Sequence, residues 1–258
     1  MQQITSLQNP RVRALRALQE KKRRQETGRF LVEGGKMVEE ALAHTFVHAA
    51  VVEEGRAEHY APLLARLSAA GAAVYLSPRR VLEALCETKT PQGIVAEAEL
   101  PAPRANIAGR LVALDGVQDP GNVGAIIRTA DAAGFGGALL GPACADPFGA
   151  KALRASTGSI FRVPVLQTER LAERLSALRE SGYAVLSSQL DGEDFFARGP
   201  LPFKKLALVI GSEAEGVSAE VSAVATHRLR LPMRDGAESL NAAVAAGVML
   251  YDLSREWR

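Results

Sequence analysis

Three segments of the chain place short polar side chains directly after an apolar strand pattern and before a helical one. In the last of them, residues 229–241, a kinked polar loop leads into an Ala-rich helix over 242–253, and Ser239 and Asn241 stand at the junction. The segments 115–128 and 210–218 have the same order of strand, Gly-containing loop and helix. Backbone donors and short polar side chains converge at such junctions, where ligands often bind. The sequence therefore predicts one site built from three loops.

A regular alternation of strand and helix patterns in the second half of the chain positions these loops. Strands are predicted at 111–114, 137–140, 162–166, 184–187, 206–210 and 228–231, with helices between most of them. This alternation predicts a parallel sheet with helices on both faces. Ligands of such sheets bind beyond the carboxyl ends of the strands, and all three polar loops leave strands at that end. We therefore expect the loops to share one pocket.

The first half of the chain predicts a smaller α/β unit. Helices are predicted over 10–26, 36–43, 57–70 and 78–86, and strands at 46–52, 73–76 and 93–97, with residues 30–35 leading into the second helix. Two prolines at 101 and 103 then interrupt every periodic pattern. We predict an N-terminal domain over 1–100, a linker over 101–108 and a C-terminal domain over 109–258.

The composition excludes several classes of protein. No apolar run approaches the roughly 18 residues of a membrane span, and the N-terminal residues lack the charged and apolar regions of a signal peptide. Cys86 and Cys144 are too few for a disulfide framework, and we expect both to be unreactive core residues. These features predict a cytoplasmic protein with no membrane partner.

A basic segment near the N-terminus predicts contact with a polyanion. The net charge of the chain is only +2, but cations greatly outnumber acidic residues in the first thirty positions. We take the following residues as candidate RNA contacts: Arg11, Arg13, Lys21, Lys22, Arg23 and Arg24. A solvated helix face is the alternative interpretation. Few aromatic residues accompany the charges, so base stacking by this segment is not indicated.

Several familiar motifs fail on inspection. The segment 134–139 lacks the third glycine of a dinucleotide-binding fingerprint and precedes a strand. Gly34-Gly35-Lys36 resembles part of a P-loop, but Met37 stands where magnesium binding needs Ser or Thr. His44 and His48 lie in a strand-like region with no third ligand nearby, so no metal site is predicted. No nucleophile elbow is present.

Taken alone, the polar residues of the first two loops leave alternatives open. Asn122 stands where a helix begins, so capping that helix is a sufficient reason for it. Arg128 has apolar neighbours in sequence and needs a partner, which is either a buried carboxylate or a phosphate or reacting hydroxyl of a ligand. Gly211 and Gly216 permit close backbone approach and flank Glu213.

The three segments together resemble the signature motifs of the SpoU/TrmH family of RNA ribose 2'-O-methyltransferases, in the SPOUT superfamily. The match covers 122–130, 211–216 and 231–241, in order and in spacing, and residues 30–34 and 90–94 resemble the family's N-terminal substrate-binding domain. This resemblance implies an α/β parallel-sheet domain with a deep C-terminal trefoil knot. It also implies a homodimer formed through the knotted region and S-adenosylmethionine bound by the knot loops.

The resemblance also assigns site residues. The cofactor-binding positions are Ile210, Gly211, Leu231, Met233, Ser239 and Leu240, and the active-site positions are Asn122, Arg128, Glu213, Ser239 and Asn241. A guanidinium has a pKa above about 12, so Arg128 suits an orienting donor that grips a phosphate and stabilises a developing alkoxide better than it suits a general base. In the family, this arginine tends to act across the dimer interface.

These observations favour an S-adenosylmethionine-dependent methyltransferase acting on the ribose 2'-hydroxyl of structured RNA. The extra N-terminal domain and the basic segment resemble family members that modify large-subunit ribosomal RNA. A transfer-RNA methyltransferase and a non-catalytic RNA-binding or ribosome-assembly factor are the alternatives. A metabolic enzyme that uses a nucleotide leaves the basic segment unexplained.

Overall fold

The computed structural model describes residues 1–102, 107–199, 201, 203–234 and 239–255. The chain folds into two compact units. Unit 1 contains Met1–Ala102 and Phe148–Phe161, and unit 2 contains Pro103–Pro147 and Arg162–Arg258. The segment Phe148–Phe161 lies in the sequence predicted for the C-terminal domain but packs in unit 1. No described helix is long and apolar enough to cross a membrane.

Unit 1 is a mixed sheet with helices packed on it. Its strands are β1 (Gln2–Gln3), β2 (Arg29–Glu33), β3 (Val47–Glu53), β4 (Ala73–Ser77) and β5 (Ile94–Glu99), in the order β1-β4-β3-β5-β2. Its helices are α1 (Pro10–Ala17), α2 (Lys21–Thr27), α3 (Gly35–His44), α4 (Ala61–Ala69) and α5 (Arg79–Leu85). β5 pairs antiparallel with β2 and β3, whereas β4 pairs parallel with β1 and β3.

Helices from the later segment complete unit 1. These are α7 (Ala150–Ser156) and most of α8 (Ser159–Arg162). The buried ring of Phe30 on β2 packs edge to face against Phe148, with ring centroids 5.2 Å apart, and lies 6.0 Å from the ring of Phe161. The edge strand of this sheet is therefore covered by residues that are more than a hundred positions away in sequence.

Unit 2 is a parallel sheet of six strands. They are β6 (Arg110–Asp115), β7 (Gly137–Leu140), β8 (Val165–Gln167), β9 (Ala184–Asp194), β10 (Leu206–Gly211) and β11 (His227–Arg230), in the order β11-β9-β10-β6-β7-β8. Its helices are α6 (Pro120–Ala132), α9 (Leu171–Glu180), α10 (Ala219–Val224) and α11 (Ala242–Arg255). The central strands β6 and β10 are buried up to their last residue, as expected of strands covered on both faces. The predicted α/β class with a parallel sheet is confirmed.

Several predicted elements have different bounds in the structure, among them the strand predicted at 184–187, which extends to Asp194 as β9. The helix predicted over 10–26 is interrupted between α1 and α2, and the helix predicted over 57–70 begins at Ala61. The strand predicted at 162–166 is wrong at its start, because α8 runs to Arg162 and β8 begins at Val165. The deep knot stays a prediction, since part of the loop that would form it, 235–238, lies outside the described residues.

Arg24 explains the break between α1 and α2 and corrects its predicted role as an RNA contact. Its side chain is buried, and Nη1 donates hydrogen bonds to the carbonyls of Leu18 (2.8 Å) and Gln19 (2.7 Å). These carbonyls lie just beyond the end of α1, where no further helical turn can satisfy them. The Arg24 guanidinium therefore belongs to the core of unit 1.

The Arg11 side chain also makes its hydrogen bond within unit 1. Its Nη2 donates to Oε2 of Glu97, and Arg29 donates to Oε1 of the same carboxylate at 3.2 Å. Glu97 lies on β5 and is only 4% exposed, so these arginines neutralise a buried charge. The other candidate RNA contacts are exposed, namely Arg13, Lys21, Lys22 and Arg23. Their contact with RNA stays a prediction.

The two cysteines are partly buried and have no disulfide partner. Burial raises the pKa of the Cys86 thiol to about 12, and the nearby Glu33 carboxylate adds to the effect. Burial also raises the pKa of Cys144. Because the thiolate is the reactive form, both thiols are poor nucleophiles at neutral pH.

Candidate active site

The carboxyl ends of β6 and β10 bring the first two polar loops side by side. The strands pair in parallel register up to Gly211 and Asp115, so both loops begin at the same level of the sheet. A hydrogen bond of 2.7 Å from the Ser218 amide to Oδ2 of Asp115 ties the end of the second loop to the start of the first. The predicted meeting of these loops at one sheet edge follows from this pairing.

Asp119, rather than Asn122, caps helix α6. The Asp119 side chain accepts a hydrogen bond of 3.0 Å from the Asn122 amide, and Pro120 occupies the first helical position. The prediction that Asn122 caps this helix is therefore wrong. Since the cap is supplied elsewhere, the Asn122 side chain is free to face the other loops.

The second loop folds back on itself through contacts that only glycine permits. Ser212 and Gly216 exchange two backbone hydrogen bonds of 3.0 Å, which closes the loop that carries Glu213. A Cβ added to Gly211 would lie 2.1 Å from the carbonyl carbon of Gly216, well inside van der Waals contact. Gly216 has a φ of +70°, in the left-handed region. The positions of both glycines thus fix where Glu213 projects.

Asn241 performs the capping role in the third loop. Its Oδ1 accepts hydrogen bonds from the amides of Ala243 (2.9 Å) and Val244 (3.3 Å), at the start of α11. Its Nδ2 remains available and donates to Oδ1 of Asn122 at 3.1 Å. The side chain therefore fixes the helix start and contacts the first loop at once.

The three loops are joined by a chain of side-chain hydrogen bonds. Asn241 donates to Asn122, and Nδ2 of Asn122 donates to Oε1 of Glu213. Within the described ranges, Oε2 of Glu213 makes no hydrogen bond. One residue from each predicted motif thus takes part in a single network, which ends in a carboxylate oxygen able to accept a proton or a hydrogen bond from a ligand.

A cavity of about 340 Å³ lies beside this network, within unit 2. Each residue predicted to bind the cofactor lines it, namely Ile210, Gly211, Leu231, Met233, Ser239 and Leu240. The walls combine apolar side chains with exposed backbone and a few charges, including Glu213, Glu215 and Arg230. Such a mixture, in a cavity of this size, is typical of small-molecule sites.

Sequence reasoning missed one wall of the cavity, formed by residues 188–191. β11 pairs with β9 at Ser187 and again at Glu193, so the β9 residues between these two positions are not paired with β11 and interrupt the regular ladder. A Cβ on Gly192 would lie 2.6 Å from the backbone of Arg228, which shows how tightly this segment returns. The signal was available in sequence, because this polar stretch also follows a strand at its carboxyl end.

The structure leaves two predicted active-site residues, Ser239 and Arg128, outside the network, and Ser239 lines the cavity. Arg128 lies outside the cavity lining as well. It lies on α6, is exposed, and within the described part of the chain makes no hydrogen bond or ion pair. Of the two alternatives for its partner, a buried carboxylate is therefore excluded among the described residues, and a ligand group stays a prediction. A single chain thus presents this guanidinium to solvent, where a ligand or another protein chain can reach it.

The chain is similar to known proteins over most of its length. A model of the SpoU rRNA Methylase family matches residues 109–251, and a model of the MRM3-like substrate binding domain matches residues 9–96. The 23S rRNA (guanosine(2553)-2'-O)-methyltransferase RlmP of Bacillus subtilis (strain 168) is 36% identical over 253 residues, which cover 98% of this chain and 99% of that protein.

Solved structures extend the similarity to the whole chain. An AdoMet-bound rRNA methyltransferase from Sinorhizobium meliloti superposes with a TM-score of 0.87 at 34% identity, covering 100% of this chain and 98% of the other. The SpoU methyltransferase AviRb from Streptomyces viridochromogenes, in complex with AdoMet, gives a TM-score of 0.84 at 28% identity, with 96% and 98% coverage. The chain therefore belongs to the SpoU rRNA methylase family.

Proposed function

We propose that this protein transfers a methyl group from S-adenosylmethionine to a ribose 2'-hydroxyl of structured RNA, with large-subunit ribosomal RNA in the cytoplasm as its substrate. The observation that carries the proposal is the network of Asn241, Asn122 and Glu213 at the edge of the 340 Å³ cavity. The similarity to 23S ribosomal RNA methyltransferases supports the choice of RNA.

The cavity has the shape and chemistry that the cofactor needs. Ile210, Leu231 and Leu240 offer apolar surface to a planar adenine, and Gly211 and Gly216, which have no side chain, also line the cavity. Asp191, Glu213 and Glu215 suit the positive charges of the ammonium and sulfonium groups. When bound, S-adenosylmethionine supplies an electrophilic methyl group on sulfur.

The residues of the network then have distinct proposed tasks. A 2'-hydroxyl is a poor nucleophile at neutral pH, so holding it in line and assisting loss of its proton are the main requirements. Oε2 of Glu213 is placed to accept a hydrogen bond from the hydroxyl, because Asn122 already engages the other carboxylate oxygen. Asn241 fixes the Asn122 amide, and Ser239 lines the same cavity.

A methylation assay with unmodified RNA tests the proposal. The protein is mixed with methyl-labelled S-adenosylmethionine and an unmodified 23S ribosomal RNA transcript, and the RNA is digested to nucleosides. We expect label in one 2'-O-methylnucleoside. Label that appears only with transfer RNA would move the substrate to that class. No label in any 2'-O-methylnucleoside, despite RNA binding, would identify a non-catalytic RNA-binding factor.

We further propose that the active form is a homodimer built through α11. The exposed residues of this helix recur at 244, 248, 251 and 255, a spacing of three and four that forms one stripe. Val244, Val248 and Tyr251 on it are 52%, 38% and 47% exposed, although they are large and apolar. A contiguous apolar stripe of this kind suits a self-complementary interface.

Substituting Val248 with Glu tests this interface. In a two-fold contact the substitution places a charge on both copies, so we expect the dimer dissociation constant to rise at least ~30-fold, with transfer lost in parallel. Analytical ultracentrifugation measures the first effect. The matched control is Ala177→Glu, on the exposed face of α9, which should leave both unchanged. A Val248→Glu protein that stays dimeric excludes the stripe as the interface.

A further inference from the structure

Unit 1 has a cavity of its own, formed by segments that the proposed reaction does not use. It has a volume of about 340 Å³, and its lining includes Lys36, Glu39, His59, Tyr60 and Gln92. The residues come from the start of α3, from the turn before α4 and from the segment that leads into β5. The Gly34-Gly35-Lys36 segment and the Gln92-Gly93 pair, which are far apart in sequence, meet here.

Three glycines each seat one polar or aromatic side chain at or beside this cavity. A Cβ on Gly34 would lie 2.6 Å from Oε1 of Gln92, and one on Gly35 would lie 2.7 Å from the Tyr60 ring. A Cβ on Gly93 would lie 2.6 Å from the side chain of Arg56. Any larger residue would displace these side chains. Gly35, Tyr60 and Gln92 line the cavity, whereas Gly34, Gly93 and Arg56 lie outside its lining.

Tyr60 is held with particular firmness. Its hydroxyl donates to the Gln92 carbonyl at 2.9 Å, and its ring packs edge to face with His59, with centroids 4.7 Å apart. Burial raises the pKa of the Tyr60 phenol, while the Arg56 charge and a hydrogen bond from the Gly35 amide oppose the rise. The phenol is therefore neutral at physiological pH, and the aromatic pair is a fixed platform beside the cavity.

Three polar side chains around the aromatic pair have no hydrogen-bond or ion-pair partner among the described residues. Among the described residues, the Lys36 and Arg56 side chains have no carboxylate partner, and the Gln92 side-chain amide makes no hydrogen bond. Glu39, the acidic residue of the lining, lies 3.9 Å from Arg66. The free groups are thus two cations and an amide that can both donate and accept.

We propose that this cavity, the unit 1 pocket, binds one unstacked nucleotide of the substrate RNA. An aromatic face binds a nucleobase by stacking, and single-stranded loops of structured RNA present such bases. Gln92 can hydrogen-bond a base edge, and Lys36 and Arg56 suit the adjoining phosphates. The inference rests on the proposed function for the identity of the polymer. The match of residues 9–96 to a substrate-binding domain supports it.

Binding measurements on the full chain test the pocket. The probe is an unmodified 23S ribosomal RNA transcript, and affinity is measured by filter binding over a range of salt concentrations. We expect His59→Ala to weaken binding at least ~5-fold, because a stacking surface is lost. Log affinity falls as log salt rises, and Lys36→Ala should make this negative slope shallower by about 0.7–0.9, the value for one phosphate contact.

The chain offers matched controls for both changes. His48 forms a similar edge-to-face pair with Phe46, with centroids 4.8 Å apart, away from the pocket lining. Arg79 is an exposed cation on α5 that is paired with Glu83, and both residues lie outside the lining. His48→Ala and Arg79→Ala should bind RNA like the wild type. If the control variants lose as much RNA affinity as His59→Ala and Lys36→Ala do, the proposed nucleotide site is wrong. It is also wrong if all four variants bind RNA like the wild type.

A cofactor measurement separates this inference from the proposed function. Affinity for S-adenosylmethionine, measured by calorimetry, should be unchanged in His59→Ala and Lys36→Ala, because both residues lie in unit 1. If the wild type methylates RNA but His59→Ala binds it normally, the pocket fails and the function stands. If no methyl transfer occurs but His59→Ala weakens RNA binding, the proposed function fails and the pocket stands.

Discussion

Two inactive variants, Arg128→Ala and Glu213→Gln, should restore activity to each other when they are mixed. Each alone is expected to lower methyl transfer about 100-fold to 1000-fold, because one removes a positioned charge and the other the acceptor of the hydroxyl's proton. Within one chain Arg128 is exposed and outside the network that contains Glu213. If Arg128 serves the site of a second copy, a heterodimer of the two variants contains one intact site.

The fraction of mixed dimers determines how much activity returns. Random exchange of equal amounts makes half of the dimers mixed, and one site in each mixed dimer pairs an intact Glu213 with an intact Arg128. About a quarter of the wild-type rate should therefore return, provided that subunits exchange freely. Initial rates of label transfer measure it. Each variant mixed with itself is the control, and a mixture as inactive as its components places both residues in the same chain's site.

The two variants also differ in what they should leave intact. Arg128 lies outside the cavity lining, so Arg128→Ala should bind S-adenosylmethionine like the wild type. Glu213 lines the cavity, and its replacement by the isosteric Gln should change cofactor affinity only a few-fold, because an exposed carboxylate contributes little binding energy in water. A large loss of cofactor affinity in Arg128→Ala would mean that this residue acts by holding the cofactor.

Much of the architecture could be predicted from the sequence because periodicity reports burial. The central strands 206–210 and 111–114 are almost wholly apolar, and this pattern predicts strands covered on both faces. Parallel strands share one carboxyl edge, so the meeting of the three polar loops also followed from local patterns. The cavity lining also contains each cofactor-binding residue that the family resemblance assigned.

Other features depend on partners that local sequence cannot identify. Asp119 and Asn122 are both good helix caps, and only the structure shows that Asp119 takes this position and leaves Asn122 for Glu213. Arg24 has the sequence context of an exposed cation, yet it is buried against carbonyls of the preceding turn. The glycine contacts near the unit 1 pocket join residues that are 25 to 58 positions apart in sequence, as in the pairs Gly35–Tyr60 and Gly34–Gln92.

Replacing Gly211 with Ala should weaken cofactor binding while the rest of the protein stays folded. The new methyl group would lie 2.1 Å from the Gly216 carbonyl carbon and 2.3 Å from its oxygen. Both are backbone atoms held by the two hydrogen bonds between Ser212 and Gly216, so no side-chain rotation relieves the clash. Overpacking of this kind costs about 1–3 kcal/mol, which suffices to open the loop that forms one wall of the cavity.

Calorimetry with S-adenosylmethionine should show at least a ~10-fold loss of affinity in Gly211→Ala, because the opened loop must be ordered again on binding. The matched control is Gly199→Ala in the same unit, where an added Cβ meets nothing within 4 Å. Circular dichroism and the thermal unfolding transition report whether unit 2, which contains Gly211, stays folded. Loss of the transition together with cofactor binding would indicate unfolding, whereas cofactor affinity within about two-fold of the wild type would show that the Gly211 contact does not shape the site.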